Sequence, residues 1–309
     1  PSKRSPGSKA KSIHYLEFAK TKLPIIDVTY YLARAYHLTY QFKKAIPLYQ
    51  SYHDSLEISQ PVFLTPLLKS QDEMARIERQ LEMCNNGIRL IKDTVKNIHF
   101  ENIGESINSE YTDYAPAVSA DNEVLVFTSR RQSPKSKKLA PDAQPYEDIY
   151  LSYKKEGKWM PAVPISENIN SKRHDASVGL SADGQSLFVY YKGDIYMSTL
   201  EGIVWSKPIR LNPPVNSPFW ETHISITSSR NTVYFASDRP GGYGGRDLYS
   251  ARRLSSGEWG MVKNLGPTIN TPFDEDAPFI HPDERHLYFC SNGHNSMGGY
   301  DVFYIHLVK

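Results

Sequence analysis

A chain of 309 residues is long enough for two domains with separate cores. Its net charge of +2 excludes a global field that would draw nucleic acid or an anionic membrane. No apolar run approaches the roughly 20 residues that a membrane-spanning helix requires. The two cysteines fall in different regions, Cys84 in a helical pattern and Cys290 in a strand pattern. That spacing suits neither a disulfide nor a metal site, so each reads as a small buried side chain.

Residues 1–11 read as a flexible basic segment, "PSKRSPGSKAK". The chain begins with proline rather than methionine and shows no signal peptide, as expected of a processed or trimmed product. Residues 12–96 carry apolar and small residues at helical spacing. In "VTYYLARAYHLTYQFKKAIPLYQSYHDSL", Ala33, Tyr36, Ala45 and Tyr49 occupy the small and aromatic positions of a tetratricopeptide-like helix pair. An ordinary small helical bundle would carry the same spacing. A partial helix precedes this pair, Pro61 ends it, and a further helix follows in "SQDEMARIERQLEMCNNGIRLIKDT", with Ser70 or Asp72 as its cap.

From residue 97 to 309 the pattern becomes β, with an internal repeat. Asp-hydrophobic-Tyr recurs at Asp148, Asp194, Asp247 and, loosely, Asp301, at spacings of 46, 53 and 54 residues. Upstream of each lies an Asn-Ser or Asn-Thr mark, at Asn108, Asn170, Asn216 and Asn270. A Gly-x-Trp-like turn recurs at Trp159, Trp205 and Trp259. Periods of this length with four short strands each predict the blades of a β-propeller. The second strands are "VLVFTS", "SLFVYY", "TVYFAS" and "LYFCS", and the third strands begin at the repeated aspartates. "FENIG" aligns with "VKNLG", so residues near 97–104 read as a fourth strand without its first three. Four blades either close by sharing that strand or form part of a longer propeller; the longer one is expected, because four is the low end for this architecture.

The segment "SDRPGGYGGRDLYS" raises the question of a phosphate loop. It lies between β segments and lacks Gly-Lys-Ser/Thr, so it reads as a variable blade connection whose glycines turn the chain with positive φ. Lysine-rich "SKRSPGSKAK" and "SPKSKK" read as solvated segments rather than polyanion sites.

Chemistry is sparse in this pattern. No nucleophile elbow or zinc-protease motif occurs, and no cofactor or metal is expected. His174-Asp175 and Glu221-Thr222-His223 read as surface or hydrogen-bonded histidines. Five residues after each repeated asparagine stand Asp113, Asp175, Glu221 and Glu275. The alignment sets them as four equivalent carboxylates at the entrance of the innermost strands, near one mouth of the channel. They either bind backbone N–H groups and tie blades together, or form an acidic rim for a cation or a basic peptide. The third-strand aspartates Asp148, Asp194, Asp247 and Asp301 read as structural, holding the glycine loop. Trp159, Trp205 and Trp259 are expected to pack between blades. Trp220 is off the repeat, in "NSPFWETH", and is an interaction candidate on the channel face.

"INSEYTDYAPAVSADNEVLVFTSRR" and "INTPFDEDAPFIHPDERHLYFCSN" resemble the TolB-type, WD40-like propeller repeat, with its acidic-x-Ala-Pro strand and aromatic strand. "DASVGLSADG" and "ETHISITSSR" depart from it by lacking the Ala-Pro pair. The order of a short tetratricopeptide-like region, the "EMCNNG" helix and then "INSEYTDYAP" resembles the PorE-like envelope proteins of the Bacteroidetes type IX secretion system. The resemblance implies a non-enzymatic adaptor in the periplasm, associated with the outer membrane and lipid-anchored through a cysteine upstream. It implies a PorP-type outer-membrane partner and peptidoglycan binding only through a downstream OmpA-like domain that this chain does not contain. Two other readings remain: a TolB-like propeller that binds an extended peptide, and a propeller accessory domain of a hydrolase.

Overall fold

The computed structural model describes residues 6–22, 25–58, 71–93, 99, 101–132 and 139–307. Ser70, Pro61 and the "SPKSKK" lysine run lie outside the described residues, as does the side chain of Asp72. The chain divides into two compact units, one of Pro1–His99 with His294–Asp301, the other of Phe100–Gly293 with Val302–Lys309.

Among the described residues the first unit contains four helices, α1 (Pro6–Lys22), α2 (Ile26–His37), α3 (Phe42–Ile58) and α4 (Gln71–Leu90). α1 begins inside the segment read as flexible. Pro6 supplies a preset φ at the first helical position, and the alanine and lysines that follow are strong helix formers. The turn between α2 and α3 brings Ala33, Tyr36, Ala45 and Tyr49 into one core with Leu32, Phe42, Tyr52 and Ile77. The two alanines let the helices approach closely, and the tyrosines fill the space beside them. Gly87 of α4 serves the same end, since a Cβ there would lie 2.4 Å from the Phe42 ring. Cys84 is buried in this core, and burial pushes its thiol up to about 12. The segment His294–Asp301 completes the unit: His37 Nε2 donates to Met297 O at 2.8 Å, and Asn86 Nδ2 donates to Ser296 O at 3.1 Å.

The second unit is a four-bladed β-propeller. Its first sheet contains β1 (Asp113–Val118), β2 (Val124–Ser129), β3 (Asp148–Lys155), β4 (Lys158–Trp159) and β5 (Val163–Pro164). The second contains β6 (Ala176–Leu180), β7 (Ser186–Tyr191), β8 (Asp194–Glu201), β9 (Val204–Trp205) and β10 (Ile209–Arg210). The third contains β11 (Glu221–Ile226), β12 (Thr232–Ser237), β13 (Asp247–Arg253) and β14 (Trp259–Asn264). The fourth contains β15 (Glu275–Ile280), β16 (His286–Ser291) and β17 (Asp301–His306), paired antiparallel in that order.

The outer strand is continuous in the third blade and split in the first two. The difference is proline. "KWMPAVP" and "VWSKPIR" carry Pro161 and Pro208 between the two halves, where a residue without an N–H interrupts the ladder. "WGMVKN" has no proline and runs through. Residues 101–104 carry no strand, yet the alignment that linked them to the third blade reappears in the side chains. Asn102 Oδ1 accepts from Gly104 N and Asn108 Nδ2, both at 2.8 Å. Asn264 Oδ1 accepts from Gly266 N and Asn270 Nδ2 at the same distances. The turn is thus formed although residues 101–104 carry no strand.

Candidate functional site

The innermost strands β1, β6, β11 and β15 line a central cavity of about 400 Å³. All four carry a bulge at the same place, between Tyr114 and Ala117, Ser177 and Gly179, Glu221 and Ile224, and Asp276 and Phe279. A bulge re-aims the strand, here at the channel wall. In the first and fourth blades the bulged residue is the alanine of the Ala-Pro pair, with φ of 49° at Ala115 and 47° at Ala277. These are left-handed conformations that cost an alanine roughly 1–2 kcal/mol. The wall is otherwise small or apolar: Pro116, Ala117, Val178, Ile224, Pro278 and Phe279.

His223 brings a titratable group to that wall. Its Nδ1 lies 2.8 Å from Asp276 Oδ1, which also accepts from Thr222 Oγ1 at 2.7 Å. Arg246 Nε stands 3.5 Å from Asp276 Oδ2. Burial alone would raise the Asp276 carboxyl. The hydrogen bond from His223 and the charges of His223 and Arg246 outweigh it and hold the group below the usual carboxylate range. The repeat alignment missed Asp276 because its counterparts, Tyr114, Ala176 and Thr222, are not acidic. His174 instead pairs with Glu147 at 2.9 Å.

The four aligned carboxylates sit at the heads of the blades and are engaged by groups of the fold. Each accepts from the backbone N–H of the Ser or Thr four residues before it: Ser109 at 2.7 Å, Ser171 at 2.6 Å, Ser217 at 3.0 Å and Thr271 at 2.8 Å. The asparagine just before that residue reaches back to the preceding blade. Asn170 brackets Ile149, Asn216 brackets Ile195 and Asn270 brackets Leu248, each accepting the residue's N–H and donating to its C=O at 2.8–3.0 Å. Asn-Ser/Thr and the acid therefore form a clamp from the third strand of one blade to the first strand of the next.

The four positions are not equivalent, contrary to the repeat. Asp113, Glu221 and Glu275 also accept from a serine at the end of the second strand: Ser129 at 2.5 Å, Ser237 at 2.8 Å and Ser291 at 2.7 Å. Asp113 and Glu221 gain a guanidinium as well, from Arg131 at 2.9 Å and Arg239 at 3.1 Å. In the second blade Tyr191 stands in the place of that serine. Burial would raise Asp113, but Ser129, Ser109 and Arg131 outweigh it and hold it below the usual carboxylate range. At Asp175 burial wins over the hydrogen bonds from Ser171, and the carboxyl is raised.

Opposite responses to neutralisation follow from these opposite shifts. A lowered folded pKa stabilises the fold above the unfolded pKa and ceases to do so as pH falls through the folded value. Asp113→Asn is therefore expected to cost about 2 kcal/mol at pH 7, shrinking toward pH 3. A raised folded pKa costs stability at neutral pH, and that cost disappears on protonation. Asp175→Asn is expected to unfold at an equal or higher urea concentration than the parent at pH 7, the gain vanishing as pH falls. Urea titrations at pH 7 and pH 3 read both signs; equal losses for the two variants would reject the distinction.

The third-strand aspartates divide by loop length. Asp247 accepts from Tyr243 N at 2.7 Å and Gly244 N at 3.0 Å, and Asp301 accepts from Met297 N at 2.8 Å. Asp194, beside the shortened "KGD" loop, instead pairs with Arg210 at 2.6 Å. Asp148 is buried. Trp205 is buried among Val126, Ile149 and Leu187 of the first two blades, and Trp259 among Phe188, Ile195 and Phe235 of the second and third. Trp159 is half-buried beside Ile107 and Phe127. Trp220 is 61 % exposed, and the 400 Å³ cavity is lined by other residues.

No protein-family model matches this sequence, and no curated protein matches it. Among solved structures, the propeller is similar to a putative TolB from Agrobacterium tumefaciens, at 16% identity and a TM-score of 0.36, over 64% of this chain and 83% of that one. It is also similar to a prolyl endopeptidase, at 15% identity and a TM-score of 0.33, over 64% of this chain and 26% of that one. A third likeness is to the tricorn protease, at 12% identity and a TM-score of 0.38, over 65% of this chain and 18% of that one. At these levels the propeller assignment rests on the four sheets themselves.

Proposed function

We propose that this chain is a non-enzymatic scaffold of the bacterial cell envelope, in the manner of the PorE-like proteins of type IX secretion. In this reading it works in the periplasm beside the outer membrane, with its helical unit acting as a tetratricopeptide-like module. A PorP-type outer-membrane protein is its partner, and peptidoglycan is reached only through a domain downstream. The observation that carries the proposal is that each unit bears its own apolar recess. In the helical unit a recess of about 360 Å³ is lined by Tyr40, Phe42, Ile88 and Ile91, with Tyr40 64% and Ile91 48% exposed. The propeller offers the central cavity. Two recesses on two compact units suit a protein that holds two partners.

A second reading draws on His223 and Asp276 at the channel wall. An imidazole oriented by a carboxylate would meet a polar end of an extended peptide, as in a TolB-like peptide-binding propeller or a hydrolase accessory domain.

Residue-level cross-linking in the native envelope separates the two. Links from residues 26–58 and 71–92 to an outer-membrane secretion component are expected for the scaffold. Recovery of a peptide linked at β1, β6, β11 or β15, with the helical residues unlinked, would replace it with the second reading.

A further inference from the structure

The turn between β15 and β16, His281-Pro282-Asp283-Glu284-Arg285-His286, breaks the repeat in an informative way. Its counterparts begin with Ser119, Ser181 and Thr227, and each hydroxyl accepts the backbone N–H five residues on: Val124 at 3.0 Å, Ser186 at 2.8 Å and Thr232 at 3.1 Å. One small acceptor therefore suffices to form this turn. The fourth blade places imidazoles at both of those positions. Their Nδ1 atoms converge on one oxygen, with His281 Nδ1 at 3.0 Å and His286 Nδ1 at 2.7 Å from Asp283 Oδ2. The other oxygen, Oδ1, accepts from Arg285 N at 2.8 Å and His286 N at 3.2 Å, which fixes the carboxylate in place. One ligand atom from each of the three residues lies within 4.8 Å of the others. A third imidazole, His306 at the end of β17, stands edge-on to His286 with ring centroids 5.0 Å apart.

We propose that His281, Asp283 and His286 form a binding site for a divalent transition-metal ion of the zinc class, with His306 in position to supply a fourth ligand. Two imidazole nitrogens and a carboxylate oxygen are a donor set this class of ion takes, at about 2.0–2.2 Å from each atom. Small rotations of exposed side chains bring the three atoms from their present separation onto one ion. The turn keeps two of its backbone bonds, His281 N to His286 O and Glu284 N to His281 O, both at 2.9 Å, while the ion displaces the Asp283 N–H that His281 Nδ1 accepts at 3.2 Å. His281 also lines a second cavity of about 210 Å³, bounded by Val118, Leu180, Ile226 and Phe279. A bound ion would sit at the rim of that cavity and tie the β15–β16 turn to the end of β17.

The test is Zn²⁺ titration of the untagged full chain by calorimetry, with Co²⁺ absorption as a spectroscopic check on the donor set. One ion per chain is expected, with a visible Co²⁺ spectrum of a four- or five-coordinate site. His281→Gln and His286→Gln are each expected to weaken binding by at least about tenfold, and His306→Gln by less. Unchanged circular dichroism of His281→Gln would show that the variant is folded. No uptake by the parent chain, or uptake that persists at full affinity in His281→Gln/His286→Gln, would overturn the site.

Discussion

Glu221→Ala is expected to lower stability by about 3–5 kcal/mol, because it removes one half of a buried ion pair. Glu221 is 0% exposed and sits at the head of β11. Its carboxylate accepts from Ser217 N at 3.0 Å, Ser217 Oγ at 2.7 Å, Ser237 Oγ at 2.8 Å and Arg239 Nη2 at 3.1 Å. The Arg239 guanidinium lies on two rings, 4.9 Å from the centroid of Phe235 and 5.0 Å from that of Tyr249. It also donates to Pro214 O and Val215 O at 3.0 and 2.7 Å, so it cannot swing to water without giving up those bonds. Truncation leaves this charge without its counter-ion and leaves the Ser217 amide and two hydroxyls without their acceptor. Urea unfolding followed by tryptophan fluorescence reads the loss. A cost below about 1 kcal/mol, accompanied by loss of partner cross-links, would return Glu221 to the acidic-rim reading.

What the sequence made legible was whatever repeats. The limits of β2, β7 and β12 match "VLVFTS", "SLFVYY" and "TVYFAS" because short apolar and aromatic runs bounded by turns carry their own boundaries. Each third strand begins at its repeated aspartate, since that side chain ends one loop and opens one strand. The places where the reading went astray are those where side chains from different segments meet. Asp175 has the same offset from its asparagine as Asp113. Its environment is set by Tyr191, 16 places away, where the other blades have serine, and by its burial. Asp276 stood beside an aligned residue and was masked by it, although its partner His223 is a full blade away in sequence. The imidazoles at 281, 286 and 306 are scattered over a strand end and both ends of a hairpin, and only the antiparallel pairing of β15, β16 and β17 gathers them.

The glycine loop after β12 shows the same limit, and its correction leads to a second large effect. Gly241 has a positive φ of +88°, the conformation the sequence reading assigned to the loop glycines generally. Gly242, Gly244 and Gly245 do not share it; they are small because something else occupies the space. A Cβ on Gly244 would lie 1.9 Å from Phe273 O and 2.5 Å from Thr271 O, and one on Gly245 would lie 2.3 Å from Asp274 Oδ1. The loop is held there by Gly245 N donating to Phe273 O at 3.2 Å, Arg246 N to Asp274 Oδ1 at 3.0 Å and Glu275 N to Arg246 O at 2.8 Å. It is thus a seam along the segment that carries the Asn-Thr clamp of the fourth blade. Gly244→Ala is expected to cost about 3 kcal/mol, since the obstructing atoms are backbone and cannot rotate away. Gly241→Ala, with open space around its Cβ, is expected to cost only the left-handed penalty of about 1–2 kcal/mol. Urea midpoints of the two variants decide between the purposes. The larger loss at Gly244 means that glycine is required there for close approach between blades, whereas the larger loss at Gly241 would mean that the loop's turn geometry governs and the seam is loose enough to yield.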